Sequence, residues 1–163
     1  MGASEQDNRA LRTITQQELI QKFPKLDANN HMRTSLATGR YNCLAFACAD
    51  ERKWWEPIPG GRYYWPPNAR RDTSLATVTS IFLAAGYVAT QNRDVEPGYS
   101  KVAIYVELED VDSYSHVAIS DGLHWKSKLG KGQDIAHDSL DLLEGDQADE
   151  YGIVAIILRK AIQ

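Results

Sequence analysis

The features missing from this 163-residue sequence exclude several classes of protein. Residues 1–13 (MGASEQDNRALRT) are polar and include no apolar stretch of the kind that a signal peptide carries. No apolar run approaches the about 18 residues that a membrane span needs. We therefore expect no membrane association, and a location in the cytoplasm or delivery by a secretion route that uses no cleaved signal peptide.

An excess of positive charge is also missing, since 18 Lys and Arg stand against 22 Asp and Glu, giving a formal net charge of -4. General electrostatic attraction to nucleic acid needs a basic surface, so no nucleic-acid partner is expected. The composition, 43% hydrophobic and 25% charged, is that of one ordinary globular domain. We expect a flexible N-terminal segment at residues 1–14 and a single domain over residues 15–163.

Cysteine is scarce, with Cys43 and Cys48 as the 2 cysteines of the chain. If both lie in one helix, the five-residue step rotates by about 500°, so the two side chains point in different directions. Their Cα atoms are then further apart than a disulfide allows. Neither a second cysteine pair nor histidines at ligand spacing accompany them, so we expect no metal and no organic cofactor. At least one thiol is therefore available for chemistry, and Cys48, which lies beyond the first helical turn, is expected to be structural.

Helix signals occupy the N-terminal half of the chain and strand signals the C-terminal half. A capping signature that begins at Thr15 predicts a helix over 16–23, and a second helix is predicted over 74–85. The alanine-rich segment after Asn42 predicts a buried helix with Cys43 in its first turn. Runs typical of strands are 101–107, 114–120, 123–128 and 152–159. This order predicts an α+β fold with an antiparallel sheet.

A thiol nucleophile with a histidine base is the chemistry that this pattern favours. In the first turn of a helix, the N–H groups and the helix dipole stabilise the thiolate of Cys43. His116 is expected to share one strand face with Tyr114, Ala118 and Ser120, where it can supply the base. The simpler interpretation of the same residues is a small core cysteine and an ordinary strand histidine.

Two segments resemble a known superfamily of enzymes. Tyr41-Asn42-Cys43-Leu44-Ala45-Phe46 resembles the Tyr-Asp-Cys-Ser-Gly-Phe segment of NlpC-type cell-wall amidases, and Ser115-His116-Val117-Ala118-Ile119 resembles their His-Val-Gly-Ile strand. Both belong to the papain-like thiol hydrolases. An uncharacterised bacterial family of papain-like domains is similar over about residues 38–160, through Trp54-Trp55, Tyr64-Trp65-Pro66, Glu96-Pro97-Gly98-Tyr99, the segment 125–130 and Asp134-Ile135-Ala136-His137.

The resemblance implies a papain-like fold with the nucleophile on a helix N-terminus packed against the sheet. It also implies acyl transfer, in which the Cys43 thiolate attacks an amide carbonyl of a protein or peptide and His116 moves the proton. Two settings fit this expectation: an intracellular housekeeping enzyme, or a toxin-type effector that is paired with a neutralising immunity protein. The alternatives are a catalytically silent module that binds peptide or glycan, and a peptidoglycan amidase. Asn42 and Leu44-Ala45 differ from the amidase segment, so cell-wall specificity does not carry over.

Papain-like sites use a third polar residue to orient the histidine. A two-residue turn at Asp121-Gly122 would place Ser127 opposite His116. Asp134 and His137 follow further along the chain. We favour His137 and then Asp134, because each accepts a hydrogen bond from an imidazole more strongly than a hydroxyl does.

The segment 50–73 is a long loop that is rich in aromatic residues and proline. Loops of this length inside a compact domain are often functional. The candidates for substrate binding are Tyr41 and Asn42 beside the nucleophile, and Trp54, Trp55 and Trp65 in the loop. These aromatic side chains either form the wall of a binding groove or anchor the loop on the core.

Overall fold

The computed structural model describes residues 13–146 and 150–163, which form a mixed α+β fold. In chain order its elements are α1 (Gln16–Lys22), β1 (His31–Arg33), α2 (Cys43–Ala47), α3 (Leu75–Ala84), β2 (Val88–Thr90), β3 (Tyr99–Glu107), β4 (Asp110–Ser120), β5 (Trp125–Lys128), β6 (Asp134–His137), a 3-10 helix (Leu140–Leu143) and β7 (Ile153–Ala161). The strands pair antiparallel in one seven-stranded sheet of order β1-β6-β5-β4-β3-β7-β2. The predicted α+β class with an antiparallel sheet is confirmed. None of the described helices is long and apolar enough to cross a membrane.

Side-chain caps determine where the three α-helices of the described residues begin. Thr15, Asn42 and Ser74 each accept a hydrogen bond from the backbone N–H three residues further on. Such caps satisfy N–H groups that have no partner inside the helix. Because Asn42 is the cap of α2, Cys43 is the first helical residue, as predicted.

Both faces of the sheet are covered. One face, which we call the α1 face, packs beneath α1 and the 3-10 helix and includes Ala103, Tyr105, Ala118 and Ile135. The opposite face, the α2 face, packs beneath α2, α3 and the Trp-rich loop and includes Val102, Ile104, Val117 and Leu158. Alternate residues of each central strand therefore belong to two separate cores.

Three short strands were not predicted. β1 and β2 have 3 residues each and form the two edges of the sheet. β6 has 4 residues, and all of them are buried although two are polar. Segments this short show no measurable period in a sequence, so they are defined by their pairing with neighbouring strands.

The turn between β4 and β5 differs from its prediction. Ser120 pairs with Trp125, so four residues connect the strands and not the two of a tight hairpin. The register therefore differs from the prediction by two residues. Because side chains alternate with a period of two, Ser127 still lies on the same face as His116.

A bulge in β4 separates two residues that were expected to share a face. Tyr105 pairs with His116, whereas the next residue of β3 pairs with Tyr114, which leaves Ser115 as the extra residue. Tyr114 consequently packs on the α2 face and His116 contacts Tyr105 on the α1 face. The expectation that Tyr114 lies beside His116 was wrong for this reason.

Most of the N-terminal segment predicted as flexible, residues 1–12, lies outside the described residues. Ile14, at the end of that segment, is held by two hydrogen bonds to the side chain of Gln133. Its side chain packs against the core of the α1 face. The domain therefore includes this residue.

Candidate active site

Cys43 lies at the N-terminal end of α2, where its thiol contacts β4. Burial raises the pKa of this thiol above its ordinary value, against the opposing effects of the Val117 and Leu44 N–H groups and of the Lys128 charge. The thiol is therefore protonated in the free chain. The same N–H groups and cation would stabilise a thiolate once a base removes the proton.

Cys48 has different surroundings. Burial, and then the charge of Asp50, raise the pKa of its thiol to about 12, and no group near it acts in the opposite direction. Neither cysteine forms a disulfide. Of the two thiols, Cys43 is the one with groups that stabilise an anion.

Two buried imidazoles are joined by a serine on the α1 face. His116 Nε2 lies 2.8 Å from Ser127 Oγ, and the same Oγ lies 2.8 Å from His137 Nε2. His137 Nδ1 lies 3.0 Å from the backbone oxygen of Ser139. The three neighbouring strands β4, β5 and β6 thus each contribute one residue to a continuous chain of hydrogen bonds, which we call the imidazole chain.

The hydrogen-bond network fixes the tautomers of both rings. Burial lowers the pKa of His137 to about 4, and burial and His137 lower the pKa of His116 well below its ordinary value, so both rings are neutral at pH 7. A carbonyl only accepts, so His137 carries its proton on Nδ1 and accepts at Nε2 from the Ser127 hydroxyl. Ser127 then accepts from His116 Nε2–H. The unprotonated nitrogen of His116 is Nδ1, and none of the described residues donates to it.

Aromatic contacts hold the His116 ring in place. Tyr151 stacks on it with 4.0 Å between the ring centroids and an angle of 3° between the planes. Tyr105 meets it edge-on at 5.4 Å, and the Tyr105 hydroxyl donates to the Leu140 carbonyl at 2.8 Å. With 1% of its surface exposed, His116 has little freedom to reorient.

The structure brings Cys43 to the strand position next to His116 without joining the two side chains. The thiol lies by the N–H of Val117, the residue that follows His116 in β4, whereas the imidazole packs against Tyr105 on the α1 face. No hydrogen bond connects the thiol to His116 among the described residues. The paired part of β4 and β5 ends at Ile119, so the sulfur reaches β4 where β5 no longer pairs with it.

Asp134 takes part in a different network, on the α2 face. The Tyr41 hydroxyl donates to its carboxylate at 3.0 and 3.2 Å, and burial is the main cause that raises the pKa of Asp134. The buried Lys128 ammonium donates to the carbonyls of Thr38 and Gly130 and lies 5.0 Å from the Tyr41 ring. Asp134 therefore contacts neither imidazole, and of the two candidates for orienting His116 only His137 is connected to it.

The candidates for substrate binding divide into buried anchors and one surface residue. The Asn42 side-chain amide donates to the Trp55 carbonyl at 2.7 Å, which ties the loop to the start of α2. Trp55 and Trp65 are 8% and 5% exposed and pack in the core of the α2 face, as Tyr41 does. Trp54 is partly exposed, and its indole N–H donates to Glu56 at 2.7 Å.

Three residues of the site were ranked low or missed by sequence reasoning. Ser127 carried a usable signal, since it alternates with the apolar Trp125 and Leu129 and so lies on a buried strand face. Lys128 lies next to Ser127 on the other face of the same strand, and nothing in the sequence indicates that its side chain is buried. Tyr151 lies in a connection between elements, where no local pattern indicates its contact with His116.

The fold and these side chains define an α+β domain with a thiol at a helix N-terminus and a buried imidazole chain in the neighbouring strands. Residues 32–159 match the profile of the family described as domain of unknown function DUF7689, so the chain belongs to this family. The match includes Cys43 and all strands of the imidazole chain. No curated protein and no solved structure matches the chain. Among the described residues, no group of three His, Cys, Asp or Glu is placed to hold a metal ion.

Proposed function

We propose that the chain is a papain-like, cysteine-dependent hydrolase or acyl transferase that acts on an amide in a protein or peptide. Cys43 is the nucleophile and His116 the base in this proposal. The observation that supports it is the imidazole chain, because it leaves the basic nitrogen of a fixed, buried ring one residue from the strand position that the Cys43 sulfur contacts. Ser127 and His137 are positioning residues that set the tautomer of His116.

The reaction begins with transfer of the thiol proton to Nδ1 of His116. The sulfur then bonds to the amide carbonyl carbon, and the π electrons move to the oxygen, which the Cys43 backbone N–H stabilises. When the carbonyl re-forms, the C–N bond breaks and the amine leaves with the proton from Nδ1. Water or an amine releases the acyl group by the same steps. Because thiol and ring are not bonded in the free chain, the proposal includes rotation of the Cys43 side chain toward Nδ1 as substrate binds.

Acylation by p-nitrophenyl acetate tests this proposal without knowledge of the natural substrate. We expect intact-protein mass spectrometry to show one acetyl group, mapped to Cys43, which is lost again as turnover proceeds. His116→Ala is expected to slow acylation by about 100-fold or more, the usual effect of losing a general base. His124→Ala removes an exposed histidine, and Cys48→Ala the other thiol, so both serve as controls that keep the wild-type rate. Equal acylation of Cys43 and Cys48, or no effect of His116→Ala, would contradict the proposal.

A silent binding module is the second candidate. It is favoured by the raised pKa of Cys43 and by the absence of a hydrogen bond from its thiol to His116. In that case Cys43 reacts slowly with p-nitrophenyl acetate in the wild type and in His116→Ala alike. The same experiment therefore separates the two candidates.

A further inference from the structure

A groove of about 700 Å³ includes Gly39 and Arg40, shortly before α2, in its lining, and most of the charged residues that line it are positive. The cations that line it are Arg40, Arg52, Lys53, Arg62 and Lys131, and all five are exposed. Glu56 is the one acidic residue among the described lining residues. On a chain whose formal net charge is -4, this is a strong local concentration of positive charge.

None of these cations forms a salt bridge in the part of the chain that the structure describes, although the charge of Lys53 helps to lower the pKa of Asp50. The described ion pairs use cations elsewhere, such as Arg93 with Glu144 and Lys126 with Asp121. Glu56 accepts from the Trp54 indole N–H. A cleft lined by charges of one sign concentrates ligands of the opposite sign.

The rim of the groove is ordered by backbone pairing. The N–H of Tyr64 donates to the carbonyl of Trp54, and the N–H of Glu56 donates to the carbonyl of Tyr64, each at 3.0 Å. Lys53 Nζ lies 5.1 Å from the Tyr64 ring, whose other contact is Trp55 with 4.9 Å between centroids. Tyr64 therefore contacts both the ammonium of Lys53 and the ring of Trp55.

The groove is close to the proposed nucleophile. Arg40 precedes Cys43 by three residues, which limits the distance between their Cα atoms to about 11 Å. Asn42, between them, holds the carbonyl of Trp55 beside the groove. A chain bound at the Arg40 side of the groove thus lies near the N-terminal end of α2.

We propose that this groove binds an acidic segment of a protein or peptide substrate. Binding of this segment does not depend on the function proposed above. Delivery of a neighbouring amide to Cys43, the further step, rests on that function. A nucleic acid fits less well because the acidic remainder of the surface repels a long polyanion. A short acidic segment can contact the five cations and meets only Glu56 as an acidic residue of the described lining.

Fluorescence anisotropy of hexaglutamate carrying an uncharged dye tests the binding. The full chain is used with Cys43→Ala, so that no turnover interferes. We expect hexaglutamate to bind and to dissociate as salt is added, because exposed charges are screened, and hexalysine and a Gly-Ser peptide not to bind. Adding Arg52→Glu and Lys53→Glu should weaken binding by 10-fold or more. Lys22→Glu with Arg33→Glu makes the same charge change at exposed positions away from the groove, and should leave binding unchanged.

Three outcomes overturn the inference: no binding of hexaglutamate, equal weakening by the two double variants, or tighter binding of a single-stranded oligouridine than of hexaglutamate. Circular dichroism of both double variants shows whether a loss of binding reflects unfolding. Binding of hexaglutamate without acylation of Cys43 by p-nitrophenyl acetate would leave the groove established and refute the enzymatic proposal. Acylation without binding would refute the groove alone.

Discussion

Ser127 has the most demanding role of any single side chain in the imidazole chain, because its hydroxyl accepts from one ring and donates to the other. Ser127→Ala leaves the buried nitrogens of His116 and His137 without partners, so we expect the free energy of unfolding to fall by about 1–3 kcal/mol. We also expect Cys43 acylation to slow by about 10-fold or more, since the tautomer of His116 is no longer fixed. Urea unfolding and acylation by p-nitrophenyl acetate measure the two effects.

Ser120→Ala is the matched control for that change. Ser120 is buried on the same sheet face, and its hydroxyl accepts one hydrogen bond, from the Gly122 N–H. Ser120→Ala should lower the free energy of unfolding and leave the rate of Cys43 acylation unaltered. If Ser127→Ala behaves in the same way, the imidazole chain has no part in orienting the base.

Lys128 supplies the second test of a single side chain. Its ammonium is buried, and burial lowers its pKa to about 8. Because its charge favours the Cys43 thiolate, Lys128→Met should raise the thiol pKa further. The pH profile of Cys43 alkylation by iodoacetamide, followed by peptide mass spectrometry, should shift to higher pH. Lys126→Met removes a neighbouring cation that pairs with Asp121, and an equal shift there would show that Lys128 has no specific role.

The parts of the site that sequence could predict are those fixed by local chemistry. The place of Cys43 in its helix follows from the cap at Asn42, and a cap acts over three residues. That Ser127 shares a face with His116 follows from the turn after β4 and the alternation of β5, although the turn has four residues and not the predicted two. The environment of Asp134 depends on contacts with Tyr41, 93 positions away in the chain, which no spacing rule reaches.

The short helix α2 depends on Asn42 for two connections: the cap, and a link to the Trp55 backbone in which the amide donates to the carbonyl and Oδ1 accepts from the N–H. Asn42→Ala removes both, and we expect it to lower the free energy of unfolding by about 1–3 kcal/mol. Asn42→Ser keeps a capping oxygen and loses only the connection to the loop, so the free energy of unfolding should fall by less than in Asn42→Ala. Thermal and urea unfolding of the two variants give the comparison. Equal stability of both would mean that the cap contributes nothing measurable.

The long elements were predicted and the short ones were not, for a physical reason. β3, β4 and β7 have 9, 11 and 9 residues, enough for their composition and alternation to show. β6 places four buried residues between the distant strand β1 and the adjacent strand β5, and its end residues, Asp134 and His137, are polar because each hydrogen-bonds within the fold. A segment whose polar residues are satisfied by distant partners looks like a loop in sequence.

The sheet separates two buried polar networks that lie on its opposite faces. The imidazole chain is neutral and lies on the α1 face, whereas Lys128 and Asp134 lie with Tyr41 on the α2 face. Cys43 lies at the end of the paired region between β4 and β5, within reach of the charge of Lys128 and one strand position from His116. The proposed chemistry thus depends on the sheet holding both networks at once.

Burial of two neutral imidazoles makes the stability of the protein sensitive to acid. Burial is the main cause that lowers the pKa of His137 to about 4, while the Ser139 carbonyl and the charges of Asp138 and Asp141 oppose it. In the unfolded chain this imidazole takes up a proton near pH 6.5, whereas in the folded chain it does not. The contribution of the neutral imidazole to stability is therefore complete above about pH 6.5 and is lost as pH falls toward 4. His137 accounts for about 3 kcal/mol of that loss, and His116 adds to it. The raised pKa of Asp134 acts in the opposite direction and reduces the total.

Urea unfolding at a series of pH values between about 7 and 4.5 measures this loss. We expect the wild type to become progressively less stable across that range. His137→Gln keeps an acceptor for Ser127 and a donor for the Ser139 carbonyl but cannot titrate, so its stability should depend less on pH. His124→Ala should retain the wild-type slope, because His124 is exposed. A wild-type stability that is flat between pH 7 and 4.5 would mean that the imidazoles are charged in the folded chain, and the tautomers assigned to His116 and Ser127 would then be wrong.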